Sequence, residues 1–381
     1  MFERRDSVTL QFIIIIVLIA LGYFLKRMNF FKANDSQVLA TLVINVTLPS
    51  LVIVNLNSAD LDISLSILPI MMILYGVIAK GIMLWLFMKH NKQVRGTMGM
   101  MIASLNIGIF AYPLVEAIWP DKGLIYFGMA DIGGAIVMFG ITYLVGSHYS
   151  SNGQPFSFKQ LVISLVKSVP LVTYVVMFIL NMCNIHLPSA MIQFFDVLGK
   201  ANMPLSMILL GLMLNFNIEK HFLPLAWKYI LCHYALGVIA GLLIHFFLPV
   251  SDPMIKSTLQ VAWLLPVGVA IIPYALQFRY KTLPLIGMAS NSTILISIII
   301  LYLYQAIAVW RLKIKVGSTG VCVLLPTFST LLLKIVSDEF KFLILVINHE
   351  TKFVKAFDQL TIFTPNFKVD FFQLIVCKSK M

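Results

Sequence analysis

The chain has 381 residues, 60% of them hydrophobic and 12% charged, with a formal net charge of +12 and four cysteines. So much apolar surface with so few charges excludes an ordinary water-soluble domain and points to lipid as the solvent. The Lys and Arg residues lie in short gaps between apolar runs, without a basic stripe or interleaved aromatics, which argues against nucleic acid as a partner.

Ten apolar runs follow in order, at 8–25, 38–56, 65–88, 97–119, 123–146, 161–183, 190–214, 225–249, 256–278 and 283–308. Each is near the roughly 20 residues that cross a hydrocarbon core of about 30 Å. Backbone polar groups in lipid must pair within the segment, so runs of this length predict helices. The first run follows Arg4 and Arg5 like a signal peptide, but no small-residue cleavage site follows it and Lys26-Arg27 closes it. It reads as an uncleaved first span. The gaps after odd-numbered runs are the more basic (Lys26, Arg27 and Lys32; Lys89, Lys92 and Arg95; Lys159; Lys220; Arg279 and Lys281), which places them on the cytoplasmic side. Residues 311–381 mix short apolar stretches with scattered Lys and Phe, 321–336 being only a weak span, and form a tail of unassigned structure.

The two halves echo each other. Asn45 and Pro49 in run two match Asn202 and Pro204 in run seven, the prolines lying 155 positions apart. Gly128-Met129-Ala130 with a later Tyr143-Leu144 in run five matches Gly287-Met288-Ala289 with Tyr302-Leu303 in run ten, at an offset of 159. Five crossings per half force the second half to enter from the opposite side. The expected organisation is therefore a five-helix repeat over 1–150 and an inverted one over 151–310.

Proline inside a span removes a hydrogen bond and clashes with the preceding turn. Run four carries Asn106, Gly108 and Pro113, and run nine carries Pro266, Gly268 and Pro273. Either proline of run nine is a candidate partner for Pro113. Two facing breaks would present half-helix N-termini to an anion, whereas a single one would be only a kink. Asp131, flanked by Gly133-Gly134, is the acidic residue inside a span. It is a candidate for proton or cation coupling, or else an interfacial helix cap. Glu116 reads as a solvated mouth residue, Lys80 and Lys228 as snorkelling cations, and His233 and His245 as packing residues. The cysteines have no metal or disulfide spacing. No P-loop, HExxH or GxSxG occurs, so neither a cofactor nor an enzyme activity is expected, and transport would draw on an ion or substrate gradient.

At Asn45…Pro49, Asn106…Pro113, Asn202…Pro204 and Pro266 with Tyr274 to Tyr280, the chain resembles the auxin efflux carrier family, the PIN-like permeases, in its bacterial branch. The resemblance spans about residues 8–308. It implies an all-α integral membrane protein of ten helices in two inverted five-helix repeats, with broken helices four and nine crossing, as in the NhaA antiporter and the bile-acid symporters. It also implies scaffold and transport domains in an elevator-like cycle, a small organic anion such as a carboxylate as substrate, and a multi-pass protein of the bacterial cell membrane. A homodimer is plausible by the same resemblance. Pro273 departs from the family pattern. The substrate-binding candidates are Asn45, Asn106, Gly108, Pro113, Asn202, Pro266 and Pro273, and the ion-coupling candidate is Asp131. The alternatives are a cation:proton antiporter or sodium-coupled carrier of the same architecture, and a receptor or scaffold with unbroken helices.

Overall fold

The computed structural model describes residues 2–317, apart from 32–34, 58, 60–61, 120–121, 151–157, 216–218 and 269. The expected tail from 318 onward, with its weak run 321–336, lies outside the described residues.

The described chain is helical. Its elements are α1 (Phe2–Arg27), α2 (Asp35–Leu42), α3 (Leu48–Asn57), α4 (Ile67–Leu86), α5 (Lys92–Met101), α6 (Tyr112–Ile118), α7 (Gly123–Ala135), α8 (Thr142–His148), α9 (Phe158–Lys167), α10 (Val169–Met182), α11 (Ser189–Lys200), α12 (Asn202–Met213), α13 (Leu223–Phe247), α14 (Pro253–Ala262), α15 (Ile271–Gln277) and α16 (Leu283–Gly317). Among the described residues the one extended pairing is an antiparallel bridge between Leu105 and Val267. Seven helical segments are long and apolar enough to cross a membrane: Leu10–Arg27, Asp35–Asn57, Ile63–Leu86, Gly123–His148, Ser189–Met213, Lys220–Phe247 and Leu283–Tyr304. They coincide with seven of the ten apolar runs. Runs four, six and nine instead hold shorter helices, α5 and α6, α9 and α10, and α14 and α15.

Proline chemistry accounts for part of this. Two five-residue π turns, Val43–Thr47 and Ile107–Ala111, end immediately before Leu48-Pro49 and Tyr112-Pro113. A proline ring clashes with the carbonyl four residues back and offers no N–H. Widening the preceding turn relieves both problems while the helix continues. A third π turn, Ile136–Ile141, has no proline. There the Thr142 hydroxyl donates to the loosened Val137 carbonyl at 3.0 Å. The last helix runs to Gly317, beyond the expected end at 308, because Arg311 to Lys315 are good helix formers.

Outward faces are apolar, with Ile13, Ile16 and Val17 on α1 and Ile70, Leu74, Val77 and Ile78 on α4 all exposed, as lipid contact requires. The core centres on the ends of α5 and α14, where Met100, Met101, Ile102, Leu265 and Val267 are buried. Helix α1 lies against α12 at backbone contact. A Cβ on Gly22 would stand 2.1 Å from the Ile208 carbonyl oxygen, and one on Gly211 would stand 2.0 Å from that of Ile19. Small residues make such an approach possible, and close packing is the main force between helices in lipid.

Candidate functional site: a crossing of two broken helices

Helix α5 ends at Met101, and the chain runs extended through Leu105 after turning at Ile102 and Ala103, whose φ of 55° lies in the left-handed region. A Cβ is strained in that conformation, so the break is held by its surroundings. Helix α14 ends likewise at Ala262, and its chain continues through Pro266 to Gly268 before α15. The two extended stretches cross. The Asn106 N–H donates to the Pro266 carbonyl at 2.9 Å, and the Gly268 N–H donates to that of Ser104 at 2.7 Å. A Cβ on Gly268 would meet the Ser104 and Leu105 carbonyl oxygens at 3.3 Å each, so the crossing tightens around this glycine.

A helix end buried in lipid must satisfy its orphan carbonyls. At α5, Met98 accepts from Ile102 N–H, Met100 from Ser104 Oγ at 2.6 Å, and Met101 from Ser104 N–H and the Tyr229 hydroxyl. Gly99 and Ile102 are served by Lys80. Its Nζ lies 3.1 Å from the Gly99 oxygen, 2.7 Å from that of Ile102 and 3.2 Å from Ser104 Oγ. Lys80 is 2% exposed, so the expectation that it snorkels to an interface fails. The negative end of the half-helix and the bare carbonyls draw the ammonium inward. At α14 the Leu265 carbonyl accepts from His233 Nε2 at 3.0 Å, and Leu264 from Ser297 Oγ at 2.7 Å. His233 is thus a hydrogen-bonded packing residue, as expected. Ser290, Thr293 and Ser297 form a buried polar stripe on α16, and Thr293 Oγ1 accepts from the Val267 N–H at 3.2 Å.

Asn106 caps the Ile107–Ala111 turn. Its Oδ1 accepts from the Ile109 N–H at 3.3 Å, its side chain is 5% exposed, and its Nδ2 is a buried donor without a partner. Gly108 sits inside that turn against span two, where a Cβ would reach Leu48 Cδ2 at 3.3 Å. Pro113 is the second residue of α6 and Pro273 the third of α15, first-turn positions where the missing N–H costs little. Pro266 therefore marks the run-nine break, and Pro273 starts the half-helix beyond it.

Asn202 is buried at the start of α12 and accepts from the Thr47 hydroxyl at 3.0 Å, while its Nδ2 lacks a partner. The turns Val43–Thr47 and Ile107–Ala111 contact each other, and α12 contacts both, so this pair adjoins the break. Asn45 departs from the group, being exposed on the opposite side of its turn from Thr47. Asp131 is half-buried and accepts from the Tyr112 hydroxyl at 2.8 Å. The Tyr112 ring stacks with that of Tyr174 at 6.0 Å between centroids. Gly134, whose Cβ would touch both Ile107 Cδ1 and Asp131 Oδ1, ties the carboxylate to the break. Glu116 is half-buried with one carboxylate oxygen buried and unpartnered, unlike the solvated mouth residue expected. Among the described residues no group of three His, Cys, Asp or Glu could hold a metal ion.

Residues 7–282 match the family model described as "Membrane transport protein". An uncharacterized transporter of Methanothermobacter thermautotrophicus is 30% identical over 54% of this chain and 68% of its own length. The uncharacterized transporter MJ1031 of Methanocaldococcus jannaschii is 24% identical over 65% of this chain and 77% of its own. The uncharacterized transporter YfdV of Escherichia coli K12 is 24% identical over 52% of this chain and 66% of its own. With its multiple apolar helices, the chain is a multi-pass membrane protein and belongs to the membrane transport protein family, the auxin efflux carrier family its motifs resemble.

Proposed function

We propose that the protein is a secondary permease for a small organic anion such as a carboxylate, held at the crossing of the two broken segments and moved by alternating access. The observation that carries this reading is the pair of buried, unpartnered amide donors, Asn106 Nδ2 and Asn202 Nδ2, beside an interrupted helix. Unpaired donors in a dry interior are costly unless a ligand visits them. Neutral donors suit an anion that must bind and leave again. Gly108 and Gly268 keep the backbone accessible at the break, and Pro113, Pro266 and Pro273 keep it broken.

The reading includes ten spans in two inverted five-helix repeats in a cell membrane, with runs four and nine crossing as broken helices. The contacts support it. Thr47 and Asn202 are 155 positions apart, the offset of the echoed prolines, and they touch each other. Lys80 and His233 occupy corresponding places on α4 and α13, and each serves the carbonyls of one broken helix. Pairs of equivalent residues meeting across a pseudo-two-fold axis are what an inverted repeat produces.

Asp131 is the ion-coupling candidate, since it exchanges a proton or cation at the cost of its bond to Tyr112. The competing cation antiporter reading is weaker, because such carriers place acidic residues in the core and, of the described carboxylates, Asp131 is the one tied to the break through Tyr112 and Gly134. Flux of labelled mono- and dicarboxylates in proteoliposomes, under imposed proton and sodium gradients, tests the proposal. Carboxylate movement is expected. Cation exchange without anion flux overturns it.

A further inference from the structure

Helix α10 packs along α3, whereas α4 and α6 pack along α7. Tyr174 of α10 crosses between these groups. It is 3% exposed and lays its phenol over Gly128 of α7, where a Cβ would stand 3.0 Å from the hydroxyl oxygen. Gly128 lies one turn before Asp131 on the same face. Gly287, its echo in run ten, has open space instead, so the arrangement occurs in one half only. Tyr112 of α6 is fully buried and donates to Asp131 Oδ2 at 2.8 Å. Its hydroxyl hydrogen is thereby used, so in its hydrogen bond with Tyr174 it accepts and Tyr174 donates. A directed chain therefore runs from Tyr174 through Tyr112 to the carboxylate, beginning on α10 and ending on α7. A bond to an ionised carboxylate is about twice as strong as a neutral one, and it polarises the bond behind it. Other titratable groups on or against α7 are engaged elsewhere. Tyr75 of α4 stacks on Trp263, Lys80 caps α5, Tyr126 is bonded to Asp252 at the head of α14, Lys256 reaches the His245 carbonyl, Asp62 caps the turn Ile63–Ser66, and Lys122 is exposed. Glu116 lies one turn beyond Tyr112 with a carboxylate oxygen unpartnered.

We infer that Tyr174 couples a proton on Asp131 to movement of the two helix groups: the ionised carboxylate fastens α10 to the broken segment through the two phenols, and proton uptake releases it. This rests on the alternating-access reading above and names the ion and the residue that carry its coupling. Asp131 is half-buried, so water reaches it and supplies the proton. The new O–H bond neutralises the carboxylate and makes it a donor. Tyr112 then no longer has to donate to it, and the pull on the Tyr174 bond falls. Charge on Asp131 is thus favoured in the fastened arrangement and neutrality in the released one, which is the differential interaction that shifts a two-state equilibrium. A single phenol donor aimed at the carboxylate suits a proton, which needs one oxygen, better than a hard metal cation, which takes about six.

Distances between two spin labels, measured in the full chain in lipid nanodiscs across a pH series, test this. Cys183, Cys232, Cys322 and Cys377 are replaced by Ser, and the labels are placed at Met182→Cys on α10 and Ile63→Cys before α4, both exposed. One distance should dominate at high pH, and a second should grow as pH falls. Asp131→Asn should show the second distance at every pH. Tyr174→Phe keeps the ring that stacks on Tyr112 and removes only the hydroxyl, so it should fold and lose the pH response. Glu116→Gln should keep the response. The inference is overturned by a wild-type distribution that does not change with pH, by a Tyr174→Phe protein that responds as wild type does, or by a response lost in Glu116→Gln and kept in Asp131→Asn. No carboxylate enters this measurement. The expected pH response without carboxylate flux would uphold the coupling and remove the anion, and flux with pH-insensitive distances would do the reverse.

Discussion

Replacing Lys80 with Met keeps the length of the side chain and removes the ammonium. The Met100 carbonyl retains the Ser104 hydroxyl, but the Gly99 and Ile102 carbonyls lose the donor that reaches them at 3.1 and 2.7 Å. Each buried acceptor left unpaired costs about 1–3 kcal/mol, so the loss is about 2–6 kcal/mol before compensation. Relief from burying an isolated cation returns part of this, leaving a net destabilisation of about 2–4 kcal/mol. That is a large share of the roughly 5–15 kcal/mol that holds a typical protein folded. In detergent, Lys80→Met should melt on the order of 5–10 °C below wild type. Lys228→Met, which alters an exposed cation near the start of α13, should melt as wild type. Equal melting of Lys80→Met and Lys228→Met would refute the capping argument and return Lys80 to an interfacial position.

Three further outcomes follow from close contacts and from the carboxylate. Gly128→Ala places a Cβ 2.2 Å from the Tyr174 ring, so it should destabilise by about 1–3 kcal/mol, and Tyr174→Leu in the same chain should recover most of the loss. Gly211→Ala meets backbone rather than a movable side chain, at 2.0 Å from the Ile19 carbonyl oxygen. It should cost about 3 kcal/mol or more in a thermal melt, with no second-site side-chain rescue in α1. Tyr112→Phe removes the donor to Asp131 without changing volume. Flux assays should show an altered dependence on the imposed ion gradient, with melting within about 1 kcal/mol of wild type, and an unchanged gradient dependence would remove Asp131 from the coupling step.

Much of the fold was legible because lipid leaves the chain few options. Each of the seven long segments falls on an apolar run within a few residues. The breaks were legible as proline and glycine inside such runs, yet their positions were not. Pro113 and Pro273 open half-helices, and the breaks lie nearer the N-terminus, at the Ile102–Ala103 turn and around Pro266. One-dimensional spacing does not say whether a proline ends a helix or begins one. Lys80 was misread for a similar reason. Its depth was visible, but the carbonyls that draw it inward belong to another helix, 19 to 22 positions away. A lysine at mid-span opposite a run with a predicted break was the signal available. Asn45 and Asn202 look equivalent in sequence, but the π turn before Pro49 rotates Asn45 outward while Thr47 takes the inward position.

The central claim, that an anion is held by the donors at the crossing, is tested most directly by Asn106→Asp. The substitution keeps the oxygen that accepts from the Ile109 N–H and replaces the unpartnered amide with negative charge. Carboxylate counterflow would be measured in proteoliposomes against wild type, with melting temperature as a control for folding. The account predicts that Asn106→Asp folds and loses at least about tenfold in carboxylate exchange, the loss expected when a charged hydrogen bond gives way to repulsion. Exchange at the wild-type rate by a folded Asn106→Asp protein would contradict it and place the anion elsewhere.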